Sequence, residues 1–106
     1  MKTLVLGLLS SACVLVALAW AAPAAAFTHV VKPGETTLFH RHSLDNVAVQ
    51  LSGATIQRQF PGQDWVTSPA KEGSVGFTAG TKIPYVHRLT NIGSTVFHVM
   101  DIEILP

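Results

Sequence analysis

The chain has 106 residues, of which 48% are hydrophobic and only 12% charged, and its seven basic residues nearly balance its six acidic ones. Because the charges balance, the chain has no positively charged surface for nucleic acid and no polybasic segment for a lipid surface. We therefore expect that it binds neither nucleic acid nor a membrane surface. The single cysteine, Cys13, lies in the first apolar segment. No disulfide is therefore expected to stabilise the fold.

The amino-terminal segment has the pattern of a secretory signal peptide. Lys2 is followed by an apolar run, then by Pro23 and the small residues Ala24-Ala25-Ala26. A basic start, an apolar helix and an Ala-x-Ala ending suit export and signal peptidase. The sequence predicts a signal-peptide helix in residues 1–26, cleavage after Ala26, and a periplasmic or secreted protein without stable membrane association after cleavage. Retention as an anchor is the alternative, since the run approaches the ~20 residues that a membrane helix needs.

Residues 27–106 are predicted to form one all-β domain. Glycine and proline interrupt the sequence often, the runs between them are rich in Val, Ile, Thr and Phe, and no segment keeps a helical period for three turns. This pattern indicates a sandwich or a small barrel of antiparallel strands. The predicted strands are Thr28–Lys32, Thr37–His42, Asn46–Leu51, Ala54–Phe60, Ser74–Thr78, Val86–Thr90 and Thr95–Ile104.

Two histidines stand one residue apart in the second predicted strand. Side chains alternate between the faces of a strand, so His40 and His42 share a face and two imidazoles can converge on one metal ion. In the last predicted strand, alternation places His98 with Val96, Met100, Ile102 and Ile104, on the face opposite to the one that carries Asp101. His98 is therefore expected among apolar neighbours.

The spacing around these histidines extends over the rest of the chain. Gly34 is followed after five residues by His40-x-His42, after three more by Asn46 and after six more by Gly53; further on, Gly76 precedes His87, which is followed after three residues by Asn91. These two stretches resemble the two sequence motifs of the cupin superfamily. In that family the first motif is glycine–five–His–x–His–three or four–Glu–six–glycine, and the second ends in His–three–Asn. The resemblance implies a small antiparallel cupin β-barrel, the double-stranded β-helix or jelly roll.

The resemblance also implies a metal site. Its ligands would be His40, His42 and His87, and its ion a divalent transition metal: Fe, Mn, Zn, Ni or Cu. Asn46 occupies the position of the family's glutamate and becomes the candidate fourth ligand, with Asp45 as the alternative, although alternation points Asp45 away from Asn46. The turn before His87 has two interpretations: the family's turn falls at Lys82 and Pro84, or the turn is Ala79-Gly80 and an enlarged loop follows it.

The candidate pocket residues are Gln50, Tyr85 and His98. Gln50 would contact a small-molecule ligand or be satisfied by backbone groups, Tyr85 would line the mouth of the barrel, and His98 would be a group near the site or a core histidine. His29 is expected to be solvated.

Three functions agree with these residues. The first is a non-haem metal-dependent dioxygenase or isomerase of a small molecule. The second is a non-catalytic metal or small-ligand binding module, and the third a metal-free structural cupin. Because an exposed edge strand is a liability in so small a barrel, we also expect a homodimer in which terminal strands extend the partner's sheet.

Overall fold

The computed structural model describes residues 23–106, so the predicted signal-peptide helix lies outside the described residues except for its last four positions. Within residues 23–106, no helix is long and apolar enough to cross a membrane. Eight strands follow one another along this part of the chain: β1 Ala24–Val31, β2 His40–His42, β3 Asp45–Ser52, β4 Ala54–Gln59, β5 Val66–Ala70, β6 Val75–Ala79, β7 Tyr85–Asn91 and β8 Phe97–Ile104.

The strands form two four-stranded sheets in the orders β1-β8-β3-β6 and β2-β7-β4-β5. Every strand pair is antiparallel. This is the strand order of an eight-stranded jelly roll, in which consecutive strands alternate between the two sheets at most steps. The predicted all-β antiparallel fold is thus confirmed for the described residues.

Two strands differ from the prediction in ways that have a physical reason. β5 was not predicted, because Pro69 cannot donate a backbone hydrogen bond; β5 lies at the edge of its sheet and pairs only with β4, where proline is tolerated. β2 is limited to His40–His42, since the residues before it contact β7 without forming a regular ladder: Thr36 makes an isolated bridge with Thr90, and the Thr37 N–H donates to the carbonyl oxygen of Leu89 (2.8 Å).

β1 begins four residues earlier than predicted. Ala24, Ala25 and Ala26 pair with residues 104, 103 and 102 of β8. Cleavage after Ala26 stays a prediction, and it would remove these three pairs from the sheet.

The apolar core occupies one half of the space between the sheets. It consists of Val31, Ala54, Ile56, Leu89, Phe97 and Val99. Asn91 lies in the same half, only 1% exposed, and its amide donates to the carbonyl oxygens of Val31 (2.9 Å) and Thr95 (2.7 Å) and accepts from the Gly93 N–H. The asparagine of the second motif therefore fixes the connection between β7 and β8.

The turn before β7 agrees with the second of the two interpretations. The N–H groups of Lys82 and Ile83 both donate to the carbonyl oxygen of Ala79, so the turn starts at Ala79-Gly80. Gly80 is required here, because a Cβ at this position would overlap the backbone oxygen of Leu44. The following residues form the loop that leads into β7.

Candidate metal centre

Three imidazoles converge in a cavity between the two sheets, next to the apolar core. β2 pairs with β7 so that His40 lies directly opposite His87, and His42 lies opposite Tyr85. One nitrogen from each of His40, His42 and His87 lies within 4.8 Å of the others. Ligands at the usual Zn–N distance are about 3.3 Å apart in a tetrahedral site, and the Nε2 atoms of His42 and His87 are 3.1 Å apart. The donor set fits a divalent transition metal.

The backbone orients one of these rings. Nδ1 of His40 lies 3.0 Å from the carbonyl oxygen of Leu38. Because a carbonyl oxygen can only accept, Nδ1 carries the proton and the lone pair of the neutral ring is on Nε2. This arrangement is typical of metal-binding histidines, whose second nitrogen is held by a backbone or carboxylate oxygen.

The surroundings keep the other two rings neutral. Burial lowers the pKa of His87 to about 3, with smaller contributions from the charges of His40, His42 and Arg58. Burial, followed by the charge of His40, also lowers the pKa of His42. Since an imidazole must be unprotonated to bind a metal, both shifts favour the ligating form.

Asn46 lies in the same cavity as the histidines. It is 3% exposed, and its Oδ1 has no hydrogen-bond partner among the described residues. Asp45, the alternative fourth ligand, does not line the cavity; its Oδ1 accepts a hydrogen bond of 3.1 Å from the N–H of Thr81 instead. Of the two candidates for the glutamate position, only Asn46 has an oxygen free for a ligand at this site.

The three histidines line a cavity of about 260 Å³ between the two sheets. Gln50 and Tyr85 line it, as the sequence indicated. The Gln50 amide donates to the backbone oxygens of Ser52 (2.8 Å) and His98 (3.1 Å), so its N–H groups are satisfied by the backbone. The Tyr85 ring stacks on His42 at 4.8 Å between centroids, and burial raises the pKa of its hydroxyl.

His98 does not line the cavity. Phe97 and Val99 belong to the buried core and Asp101 lines the cavity, so the inward face of β8 is the one opposite to His98. Of the three candidate pocket residues, His98 is therefore the one that the structure does not place in the cavity. Both faces of β8 carry apolar residues, and alternation alone does not tell which of them points inward.

Three ionisable residues that line the cavity were not among the predicted pocket residues: His29, Arg58 and Asp101. His29 is exposed, as expected, but it also lines the cavity, and its Nε2 lies 3.1 Å from Oδ2 of Asp101. Arg58, on β4, also lines the cavity. His29 and Val31 lie on the same face of β1, because side chains alternate along a strand. Knowing that Val31 points inward would therefore have predicted that His29 also points toward the cavity.

Comparison with known proteins agrees with this architecture. No protein-family model and no curated protein matches the sequence. Among solved structures, a cupin domain of Bordetella pertussis Tohama I is similar, with 26% identity, a TM-score of 0.68, and coverage of 78% of this chain and 82% of that one. A double-stranded β-helix protein of Klebsiella pneumoniae has 15% identity and a TM-score of 0.58, over 79% of this chain and 69% of that one.

A third similar structure is the polyketide cyclase RemF from Streptomyces resistomycificus. It has 16% identity and a TM-score of 0.59, with coverage of 80% of this chain and 56% of that one. At this identity the likeness concerns the fold. The jelly-roll strand order, the motif spacing and these structural matches together place the chain in the cupin superfamily.

Proposed function

We propose that this cupin binds one divalent transition metal through His40, His42 and His87 and uses it to bind a small molecule in the cavity. The observation that supports the proposal most directly is the mutual approach of the three imidazole nitrogens within 4.8 Å. Two of the three rings have lowered pKa values, as ligands that must be neutral require.

Asn46 is proposed as the fourth protein group at the metal, bound directly or through a water molecule. A buried amide oxygen without a partner costs about 1–3 kcal/mol, so such a group calls for an explanation. A bound cation or a water molecule on that cation would satisfy it. An amide brings no charge, and the ion would keep its full positive charge among neutral ligands.

That charge determines the chemistry we propose. His40, His42 and His87 would hold the metal, which would supply Lewis-acid chemistry toward an oxygen group of the ligand. The cavity, of about 260 Å³, limits the ligand to a small molecule. Turnover as a metal-dependent dioxygenase or isomerase is the catalytic form of this proposal.

A non-catalytic metal or small-ligand binding module is the second candidate. It is favoured by Gln50, whose amide N–H groups are bound to backbone oxygens and are not offered to a substrate. Both candidates share the metal site. Oxygen uptake or product formation in a screen of small molecules with the metal-loaded protein would separate them.

We also propose export of the protein with cleavage after Ala26. The basic start, the apolar run and the three small residues support it. The intact mass of protein recovered from the periplasm of an expressing bacterium tests the proposal. A mass beginning at Phe27 is expected, whereas a mass that includes residues 1–26 in the membrane fraction would favour the anchor.

The metal proposal is tested by elemental mass spectrometry of the purified protein. We expect about one equivalent of a transition metal, lost in a His40→Ala/His42→Ala variant. His98→Ala is the matched control, because it removes an imidazole that does not line the cavity, and it should keep the metal. If none of the three proteins contains or takes up metal, and chelator leaves the melting temperature unchanged, the metal-free structural cupin is the correct reading.

A further inference from the structure

A second pair of polar side chains lies in the cavity beside the three histidines. His29 on β1 and Asp101 on β8 both line the cavity, and the His29 Nε2 is 3.1 Å from the Asp101 Oδ2. The Asp101 side chain is only 10% exposed, whereas that of His29 is 44% exposed. The pair therefore extends from the closed wall of the cavity toward its opening.

The pair is adjacent to the metal site. The ring of His29 lies nearly parallel to that of His40, with 6.4 Å between centroids and 13° between planes. Asp101 lies opposite Ala48 on β3, two residues from Asn46. The carboxylate that the first motif lacks at position 46 is thus present in the same cavity, on a neighbouring strand. Asp101 is not part of the group whose ligand atoms approach within 4.8 Å.

The sheet does not require this pair for its own stability. β1 and β8 are already joined by eight residue pairs, of which the five from Phe27 to Val31 remain after the proposed cleavage. A buried carboxylate is costly to desolvate, and apolar residues of similar size stabilise a sheet at least as well as an ion pair does. The other residues of these two strands that line the cavity, Val31, Phe97 and Val99, are apolar. A polar pair at the cavity end of both strands therefore favours a role toward a ligand.

We infer that His29 and Asp101 form a second recognition site, where the Asp101 carboxylate accepts a hydrogen bond from a hydroxyl or ammonium group of a small ligand. The other end of that ligand carries the anionic oxygen group that the positively charged metal attracts. His29 donates to the carboxylate and holds it in the cavity. This inference rests on the proposed metal site and specifies its ligand as a small carboxylic acid that also bears a hydrogen-bond donor.

The test measures which acids bind to the protein loaded with Co²⁺, from the change in the visible absorption of the ion. Terminal hydroxy acids from glycolate to 5-hydroxypentanoate, and the corresponding amino acids from glycine to 5-aminopentanoate, are compared with the unsubstituted acids of the same chain lengths. A hydrogen bond to a charged group corresponds to about tenfold or more in affinity. We expect a preference of that size for the hydroxy or amino acid at the chain length that spans the two sites.

Asp101→Asn and His29→Gln separate recognition from folding. Both should bind Co²⁺ and the unsubstituted acids as the wild type does, while the preference for the hydroxy or amino acid falls to within about twofold of unity. A melting temperature close to that of the wild type confirms that the fold is retained.

Each unfavourable result has a distinct meaning. Failure of the wild type to bind Co²⁺ would overturn the metal site itself. Binding of Co²⁺ without a preference at any chain length would overturn only the second site, and this comparison needs no variant. A preference that persists in Asp101→Asn and His29→Gln would assign recognition to other cavity residues and leave the pair as a structural contact between β1 and β8.

Discussion

His40 and His87 stand directly opposite each other across β2 and β7, with 4.6 Å between their ring centroids. This register brings together histidines of the two motifs that are 45 residues or more apart in the sequence, as the contact between His42 and His87 also shows. A slip of one residue would turn His87 to the outer face of the sheet, since side chains alternate. The site therefore depends on strand register as much as on the ligands themselves.

The stability of the metal-free protein should fall as the pH is lowered. His87 has a pKa of about 3 in the folded protein and 6.5 in the unfolded chain, so between these values the unfolded state binds the proton that the folded state excludes. Between pH 7 and pH 5, proton binding by His87 in the unfolded chain should lower the free energy of unfolding by about 2 kcal/mol. Urea unfolding at the two pH values, after removal of metal by chelator, measures it.

The control for this effect is His87→Phe, which keeps a buried ring but does not titrate. The variant should lose most of the difference in unfolding free energy between the two pH values. Because burial also lowers the pKa of His42, a smaller dependence should remain. An equal pH dependence in the wild type and the variant would contradict the low pKa of His87.

Asn46→Glu should increase metal affinity by tenfold or more, because a carboxylate supplies the negative charge that three imidazoles lack. Asn46→Leu should act in the opposite direction, lowering affinity while it stabilises the metal-free protein by about 1 kcal/mol, since it removes a buried oxygen without a partner. Competition with a chromogenic chelator measures the affinities, and urea unfolding measures the stabilities. Equal metal affinity in all three proteins would show that position 46 does not contact the ion or its water.

The sequence was sufficient for the histidine site but not for the whole cavity. His40 and His42 could be placed on one face because strand alternation is strict, and the spacing to His87 matched a known motif. The direction of a face was harder to predict. On β8, the inward Phe97 and Val99 and the outward Met100 and Ile102 are all apolar, so the pattern allowed His98 as a pocket candidate and did not single out Asp101.

The ends of strands could also not be predicted from the local sequence pattern. β1 extends to Ala24 because residues 102 to 104 of β8 pair with it. Alanine has a low strand propensity, so the sequence Ala24-Ala25-Ala26 does not by itself predict a strand. β5 was not predicted because it contains Pro69. A proline is tolerated at the edge of a sheet, but the position of β5 at an edge depends on the whole sheet and cannot be seen in the segment alone. These features depend on which strands become neighbours.

Gly80→Ala should destabilise the protein by about 2 kcal/mol or more, because the added Cβ would overlap the backbone oxygen of Leu44 and force the turn before β7 to move. Gly76→Ala is the matched control: no atom lies within 4 Å of its added Cβ, and its φ is not positive. Thermal unfolding of both variants tests the difference. Equal melting temperatures would mean that the β6–β7 connection is not held against Leu44 as closely as the structure shows.

Homodimer formation remains a prediction, and the edge strands define how it can be tested. β1 and β6 are the two edges of one sheet, and Val75 and Phe77 on β6 are 66% and 63% exposed. We expect a dimer mass in light scattering at micromolar concentration, formed by pairing of terminal β1 strands.

The control variant is Phe77→Lys, on the opposite edge of the sheet, which should leave this dimer intact. A shift of this variant to monomer would instead place the interface on β6, where burial of two apolar side chains contributes about 2–5 kcal/mol per subunit. A monomeric wild type would contradict both arrangements.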